Sequence, residues 1–246
     1  MGQVIVVASG KGGTGKTSLT AGVSSCLAAL GQKVLCVDMD VGLRNLDLSL
    51  GMTDRVLMDF SDVAAGRCSL QRAAVEHPDV PGLHLITAPL DPAALGIPQD
   101  TFRAFLDEAR SLFDYVLLDS PAGLGPGFQL AACGADRAIV VCTSDASSLR
   151  DAQRAVSQLS RVPQVQMVVN RVQVKLLRQL RTTIDDAMDT AGLPLLGVVP
   201  EDQNVTLAAN FDKPLVLMSH KGAALAYLNI ARRILGQRVP IMRIRR

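Results

Sequence analysis

Val4-Ile5-Val6-Val7-Ala8-Ser9-Gly10-Lys11-Gly12-Gly13-Thr14-Gly15-Lys16-Thr17 is the stretch that decides the fold of this 246-residue chain. Its first five residues are continuously apolar, which suits a strand buried on both faces. Gly10–Thr17 fits GxxxxGK[ST], and Thr17 opens an apolar helical stretch reaching Leu30. Strand, glycine loop and helix in that order make a phosphate cradle, because backbone N–H groups converge on phosphate oxygens only where glycine allows the approach and the dihedrals. The helix beginning at Thr17 adds the positive end of its dipole. At average glycine content the four fixed positions arise by chance in roughly one per cent of chains this long. Lys16 is expected to bridge the β- and γ-phosphates and the Thr17 hydroxyl to ligate Mg²⁺. Gly10, Gly12, Gly13, Thr14, Gly15 and Ser18 complete the phosphate group. Lys11 stands where the general pattern accepts any residue, so the motif alone leaves it open between a solvated loop lysine and a phosphate ligand.

Further short apolar runs follow at Val34–Val37, Leu83–Ile86, Tyr115–Leu118, Ala138–Cys142, Val165–Val169 and Leu195–Val199. Helical patterns lie between them. Leu176, Leu177, Leu180, Ile184, Ala187, Met188 and Ala191 repeat at helical spacing and stop at Gly192 and Pro194. Ser148 and Asp151 read as a capping box before Leu149, Ala152, Ala155, Val156 and Leu159. Tyr227, Ile230, Ala231, Ile234 and Leu235 mark a last helix ending near Gly236. Alternation of this kind predicts an α/β fold, a mostly parallel twisted sheet with helices on both faces. Residues 1–236 read as one P-loop ATPase domain and 237–246 as a short basic tail.

Acids fall at the expected strand tips. Asp38 and Asp40 follow Val34–Val37, and Asp119 follows Tyr115–Leu118, the ends where open α/β sheets bind ligands. With Thr17 they form the candidate metal group, Asp119 in a Walker-B-like place. A guanine-specific site would carry Asn-Lys-x-Asp, but Asn170-Arg171-Val172-Gln173 lacks the acid. The Asn170 amide both donates and accepts, as the N6/N7 edge of adenine requires, so the nucleotide expected is ATP.

Composition narrows the class. Hydrophobic residues at 48% support a sizeable core, and a net charge of +2 with interspersed signs gives no footprint of specific nucleic-acid binding. Cys26, Cys36, Cys68, Cys133 and Cys142 include no CxxC and read as buried small side chains in a reducing compartment. Met1–Ala8 lacks the basic flank of a signal peptide, and no run spans a bilayer. The expected place is the cytoplasm, or the inner face of the cell membrane by peripheral contact.

GKGGTGKT at Gly10–Thr17, VDMDVGLRNLDL at Val37–Leu48, LLDSPAGL at Leu117–Leu124, VVNR at Val168–Arg171 and VVPEDQ at Val198–Gln203 resemble the deviant Walker A ATPases of the MinD/ParA family. GLRNLDL resembles the MinD-like branch, which determines septum sites, rather than the partition ATPases. Several roles are implied by the resemblance. Lys11 is the family's signature lysine, reaching the phosphates of a partner subunit across an ATP-sandwiched homodimer. Asp40 orients the attacking water, Asp38 and Asp119 hold the Mg²⁺ shell, and Asn170 with Arg171 meets adenine. Pro200, Glu201 and Asp202 line base and ribose. Asp151 matches a position where a MinC-like division inhibitor docks, and a MinE-like activator is expected to trigger otherwise slow hydrolysis. Relatives finish with a basic amphipathic membrane helix. Here only Gln237–Arg246 follow Gly236, with Pro240 interrupting any helix and Arg238, Arg243, Arg245 and Arg246 around Val239, Ile241, Met242 and Ile244. That tail implies weak or absent direct membrane contact. Flagellar placement, DNA partition and iron–sulfur scaffolding through Cys133 are the competing roles for such a chain.

Overall fold

The structure is a computed structural model and describes residues 1–91 and 96–242. Its strands are β1 (Gln3–Ala8), β2 (Val34–Asp38), β3 (Val75–Glu76), β4 (Leu83–Ile86), β5 (Tyr115–Asp119), β6 (Arg137–Cys142), β7 (Gln164–Val172) and β8 (Leu195–Pro200). They form one sheet in the order β3-β4-β2-β5-β1-β6-β7-β8. Every neighbouring pair is parallel except β3–β4 at the edge. The helices are α1 (Lys16–Ala29), α2 (Leu46–Leu50), α3 (Phe60–Ala64), α4 (Leu70–Ala73), α5 (Gln99–Leu112), α6 (Pro126–Ala132), α7 (Ala146–Gln158), α8 (Val174–Leu180), α9 (Ile184–Ala191), α10 (Gln203–Asn210), α11 (Leu215–Met218) and α12 (Gly222–Ile234).

The unbroken apolar strands are explained by two cores. Val4, Val6 and Ala8 of β1 face one, with Phe102 and Phe105 of α5, Phe128 of α6 and Leu149 and Ala152 of α7. Ile5 and Val7 face the other, with Leu19, Val23 and Leu27 of α1 and Ala226, Ile230 and Ile234 of α12. Alternate side chains therefore enter opposite layers, and both layers are apolar. Because connections are parallel, every β-to-α loop emerges along one edge. The residues 9–15, 39–45, 120–125, 143–145 and 201–202 meet there.

Two expectations on helices are corrected. The pattern from Leu176 to Ala191 is two helices, since Arg181 turns left-handed at φ 51° and Thr183 starts α9 in a capping box with Asp186. Leu176 and Leu180 are consequently exposed. The cap of α7 is Asp145 rather than Ser148, whose hydroxyl accepts the Thr143 N–H at 2.9 Å. Asp151 lies inside α7, paired with Arg154 at 3.4 Å. The last helix begins at Gly222, a turn and a half before Tyr227.

Of the tail, Gln237–Met242 is described and Arg243, Ile244, Arg245 and Arg246 lie outside the described residues. Arg233 staples it to the sheet's far edge, its Nε donating to the Val239 carbonyl at 3.0 Å and its Nη1 to that of Leu196 at 2.9 Å. Among the described residues no helix is long and apolar enough to cross a membrane. Cys26, Cys36 and Cys142 are buried, whereas Cys68 and Cys133 are partly exposed, a correction to the uniform burial expected; all are free thiols.

Candidate functional site

The phosphate loop is built from β1 into α1. Gly13 and Gly15 adopt φ values of 79° and 86°, left-handed conformations that a side chain would strain. A Cβ at Gly15 would also overlap the Asn170 amide. No side chain caps α1, so its first N–H groups stay open to an anion. Lys16 is only 8% exposed; its Nζ donates to Ser9 Oγ at 3.0 Å, and burial lowers its pKa while Asp119 and Asp40 oppose that. The Thr14 hydroxyl is buried without a partner inside the same loop.

Beside Lys16 stand the acids. Asp38 and Asp119 are register partners on β2 and β5, each about 1% exposed. Burial pushes Asp119 up to about 7, with repulsion from Asp38 adding to it; burial pushes Asp38 up to about 6. Thr17 and Thr20 hydrogen-bond Asp119, the latter at 3.2 Å. Asp38 instead organises its own loop, accepting the N–H groups of Asp40 at 2.9 Å, Asn45 at 3.2 Å and Leu46 at 3.1 Å. Asp40 is half-buried, raised by burial and lowered by facing Lys16. A pair of raised, dry carboxylates beside a threonine hydroxyl fits a hard divalent cation. Among the described residues no cluster of three or more His, Cys, Asp or Glu side chains forms a cage. Mg²⁺ typically takes one or two carboxylates and completes its shell with water and phosphate oxygens, so the residues present suit it.

On the other flank, Asn170, Arg171, Pro200, Glu201 and Asp202 line one cavity of about 180 Å³ with Gly15 and Ser18. The Asn170 amide donates to the Thr14 carbonyl at 2.8 Å, leaving its oxygen and second N–H for a base edge. Arg171 ties the two sides together: Nη1 donates to the Gly13 carbonyl at 3.1 Å and Nε to Glu201 at 2.9 Å. Asp202 is the cap of α10, accepting from Asn204 N at 2.9 Å, and its other oxygen accepts the Ala223 N–H at 2.9 Å. Val205, Thr206 and Tyr227 also line the cavity. Sequence reading missed the first two and took Tyr227 for core. The helical run after VVPEDQ offers no periodic sign of a polar ligand.

Lys11 is elsewhere. Its Nζ donates to Asp145 Oδ1 at 3.2 Å and Ser147 Oγ at 2.8 Å, at the start of α7. Burial would raise Asp145, but hydrogen bonds from Ser147, Thr143, Ser148 and Lys11 outweigh it and hold the carboxyl well below its usual range. Gly10 sits against the backbone of Asp151, where any Cβ would collide, so loop and helix touch directly. Both Lys11 and Asp145 keep more than a third of their side chains in solvent, at 37% and 44%.

The chain is similar to known proteins along its length. The family model described as the CobQ/CobB/MinD/ParA nucleotide binding domain matches residues 5–215. The septum site-determining protein MinD of Bacillus subtilis (strain 168) is 39% identical over 246 residues, 98% of this chain and 92% of that protein. In the MinC:MinD cell division protein complex of Aquifex aeolicus, one chain superposes with a TM-score of 0.90 and 35% identity, covering 98% of both chains. MinD of Pyrococcus horikoshii OT3, solved with Mg-ADP, gives a TM-score of 0.84 at 29% identity, over 95% of this chain and 96% of that one.

Proposed function

The chain belongs to the CobQ/CobB/MinD/ParA nucleotide-binding family, and from that premise we propose that it is a MinD-like ATPase switch, dimerising on MgATP and placing the cell-division site. The observation that carries the switch is the setting of Lys11: a second phosphate-loop lysine, partly in solvent and held by a surface pair. An exposed pair of this kind contributes about 0–1 kcal/mol, so a second subunit's phosphates can take the lysine over.

Residues 1–236 act as one ATPase unit in this reading. Loop amides from Gly10 to Thr17 and the Lys16 ammonium hold the triphosphate, and Asn170 presents its free amide edge to adenine. Mg²⁺, when bound, neutralises charge on the β- and γ-phosphates, with Thr17 and Asp119 as the residues to hold it. Asp38 fixes the 38–46 loop by its three backbone contacts and so aims Asp40. Asp40, facing Lys16, accepts a hydrogen bond from the attacking water and orients it. Lys11 of the second subunit stabilises charge developing on the transferred phosphoryl group, as an arginine finger does. Turnover is slow until a MinE-like protein completes the arrangement. A MinC-like protein docks on the outer face of α7 near Asp151, the helix that touches Gly10.

Overproduction in rod-shaped bacteria tests the role. The parent chain should displace or block septa, whereas Lys16→Ala should leave septa in place. Normal septa with well-expressed parent protein would refute division placement; a purified chain that turns over no MgATP would refute the ATPase.

A further inference from the structure

Tyr227 is 2% exposed on α12, and what it keeps open faces the cavity bounded by Asn170 and the Pro200–Asp202 loop. Its ring lies against α1 at Gly22, where any Cβ would overlap it, so the two helices close on the aromatic body. A phenylalanine would fill that space equally well. The hydroxyl therefore needs its own explanation, since a buried tyrosine ordinarily gives its O–H to a partner. Among the described residues it has none. Nor is it sealed: the wholly enclosed, unpartnered polar atoms among the described residues belong to Thr14, Thr87, Arg137 and Thr182.

Several of the surrounding polar groups are already engaged. Both Asp202 oxygens accept backbone N–H groups, from Asn204 and Ala223. Arg171 is held by Glu201 and the Gly13 carbonyl. One Asn170 N–H goes to Thr14. Besides the Ser18 and Thr206 side chains, which also line it, the cavity offers an incoming molecule the rest of the Asn170 amide and the Tyr227 hydroxyl, which can donate and accept. The charges that act on the phenol, after burial itself, include Asp202 and Glu201 at the cavity's wall. The triphosphate loop adjoins this cavity through Gly15 and Ser18, so the part of a nucleotide that reaches it is the nucleoside.

We propose that Tyr227 is a nucleoside-binding residue, its hydroxyl hydrogen-bonding the base or ribose held between Asn170 and the Pro200–Asp202 loop. The proposal rests on the nucleotide-binding reading given above and adds a residue that the phosphate motif does not contain. It also accounts for Gly22, which lets α12 bring the ring to the site.

The test compares Tyr227→Phe with the parent chain by calorimetry, using MgATP, MgADP and magnesium tripolyphosphate. Expected is a loss of roughly 5- to 30-fold in affinity for both nucleotides with tripolyphosphate unchanged and the melting temperature kept. Nucleotide affinity within twofold of the parent would overturn the proposal, as would an equal loss for tripolyphosphate, which would make the hydroxyl a general structural prop. A parent chain that binds neither nucleotide would instead remove the nucleotide reading itself, and the proposal with it. Tyrosine emission gives a second readout, because the chain has two tyrosines and no tryptophan. In Tyr115→Phe, MgATP should change the remaining Tyr227 signal and tripolyphosphate should not; emission indifferent to MgATP counts against the contact.

Discussion

Two lysines five residues apart on one loop occupy opposite surroundings. Lys16 is enclosed by Ser9, Asp119 and Asp40, with a lowered pKa that burial imposes. Lys11 lies at the rim on Asp145 and Ser147, with solvent around it. The inner region is therefore set by the fold, its charges held in place before any ligand arrives. The outer region is set by a weak pair that a competing anion can replace. In the proposed reading, binding belongs to the first region and switching to the second.

The sharpest way to break this division is Lys16→Ala. Removing a buried cation from phosphate should weaken MgATP binding by roughly 100-fold or more; calorimetry showing a loss under tenfold would mean that the inner region is less fixed than its burial implies.

Asp119→Asn comes next. The folded pKa of Asp119 is raised from 3.8 to about 7, so between those values the native chain holds a proton that the unfolded chain has released. Stability of the unliganded wild type therefore falls as pH rises toward about 7. The Asn variant should be more stable than wild type at pH 8, by on the order of 2 kcal/mol, with the gain shrinking as pH falls from 7 toward 4. Denaturant melts at pH 8 and pH 5 check it, and an equal effect at both would contradict the burial account. By the same proton competition, Mg²⁺-dependent nucleotide affinity of the wild type should drop as pH falls through about 7.

Asp145→Asn probes the rim and should have the smallest effect. Loss of the charge on α7 frees Lys11, raising ATP-driven dimerisation by roughly two- to fivefold with monomer affinity for ADP unchanged. Weaker dimerisation would show that Asp145 supports the assembled form rather than the resting one.

Much of the inner region was legible beforehand. Gly10–Thr17, Asp38 and Asp119 could be placed because glycine dihedrals and strand-tip acids are local requirements, and the parallel sheet follows from apolar runs that feed two cores. The rest depended on tertiary contact. That Asp38 would turn inward to three backbone N–H groups depends on the path of residues 40–46, including Arg44 at φ 45° with its Nε on the Ala88 carbonyl. Leu176 and Leu180 fitted a helical stripe, yet Arg181 turns the chain before α9; the Thr183–Asp186 capping signal was there to be read. The two-residue β3 carries too little pattern to announce itself. Tyr227 satisfied the periodicity of a core helix, and only the cavity beside its ring distinguishes it from one.

The central claim is that Lys11 leaves α7 for a second subunit when ATP is bound. Analytical ultracentrifugation with MgATP should be run on Asp40→Ala, in which hydrolysis is expected to stall, and on the same protein carrying Lys11→Ala as well. A dimer in the first and a monomer in the second, with nucleotide still bound to both, is the predicted result. Equal dimerisation of the two would contradict it.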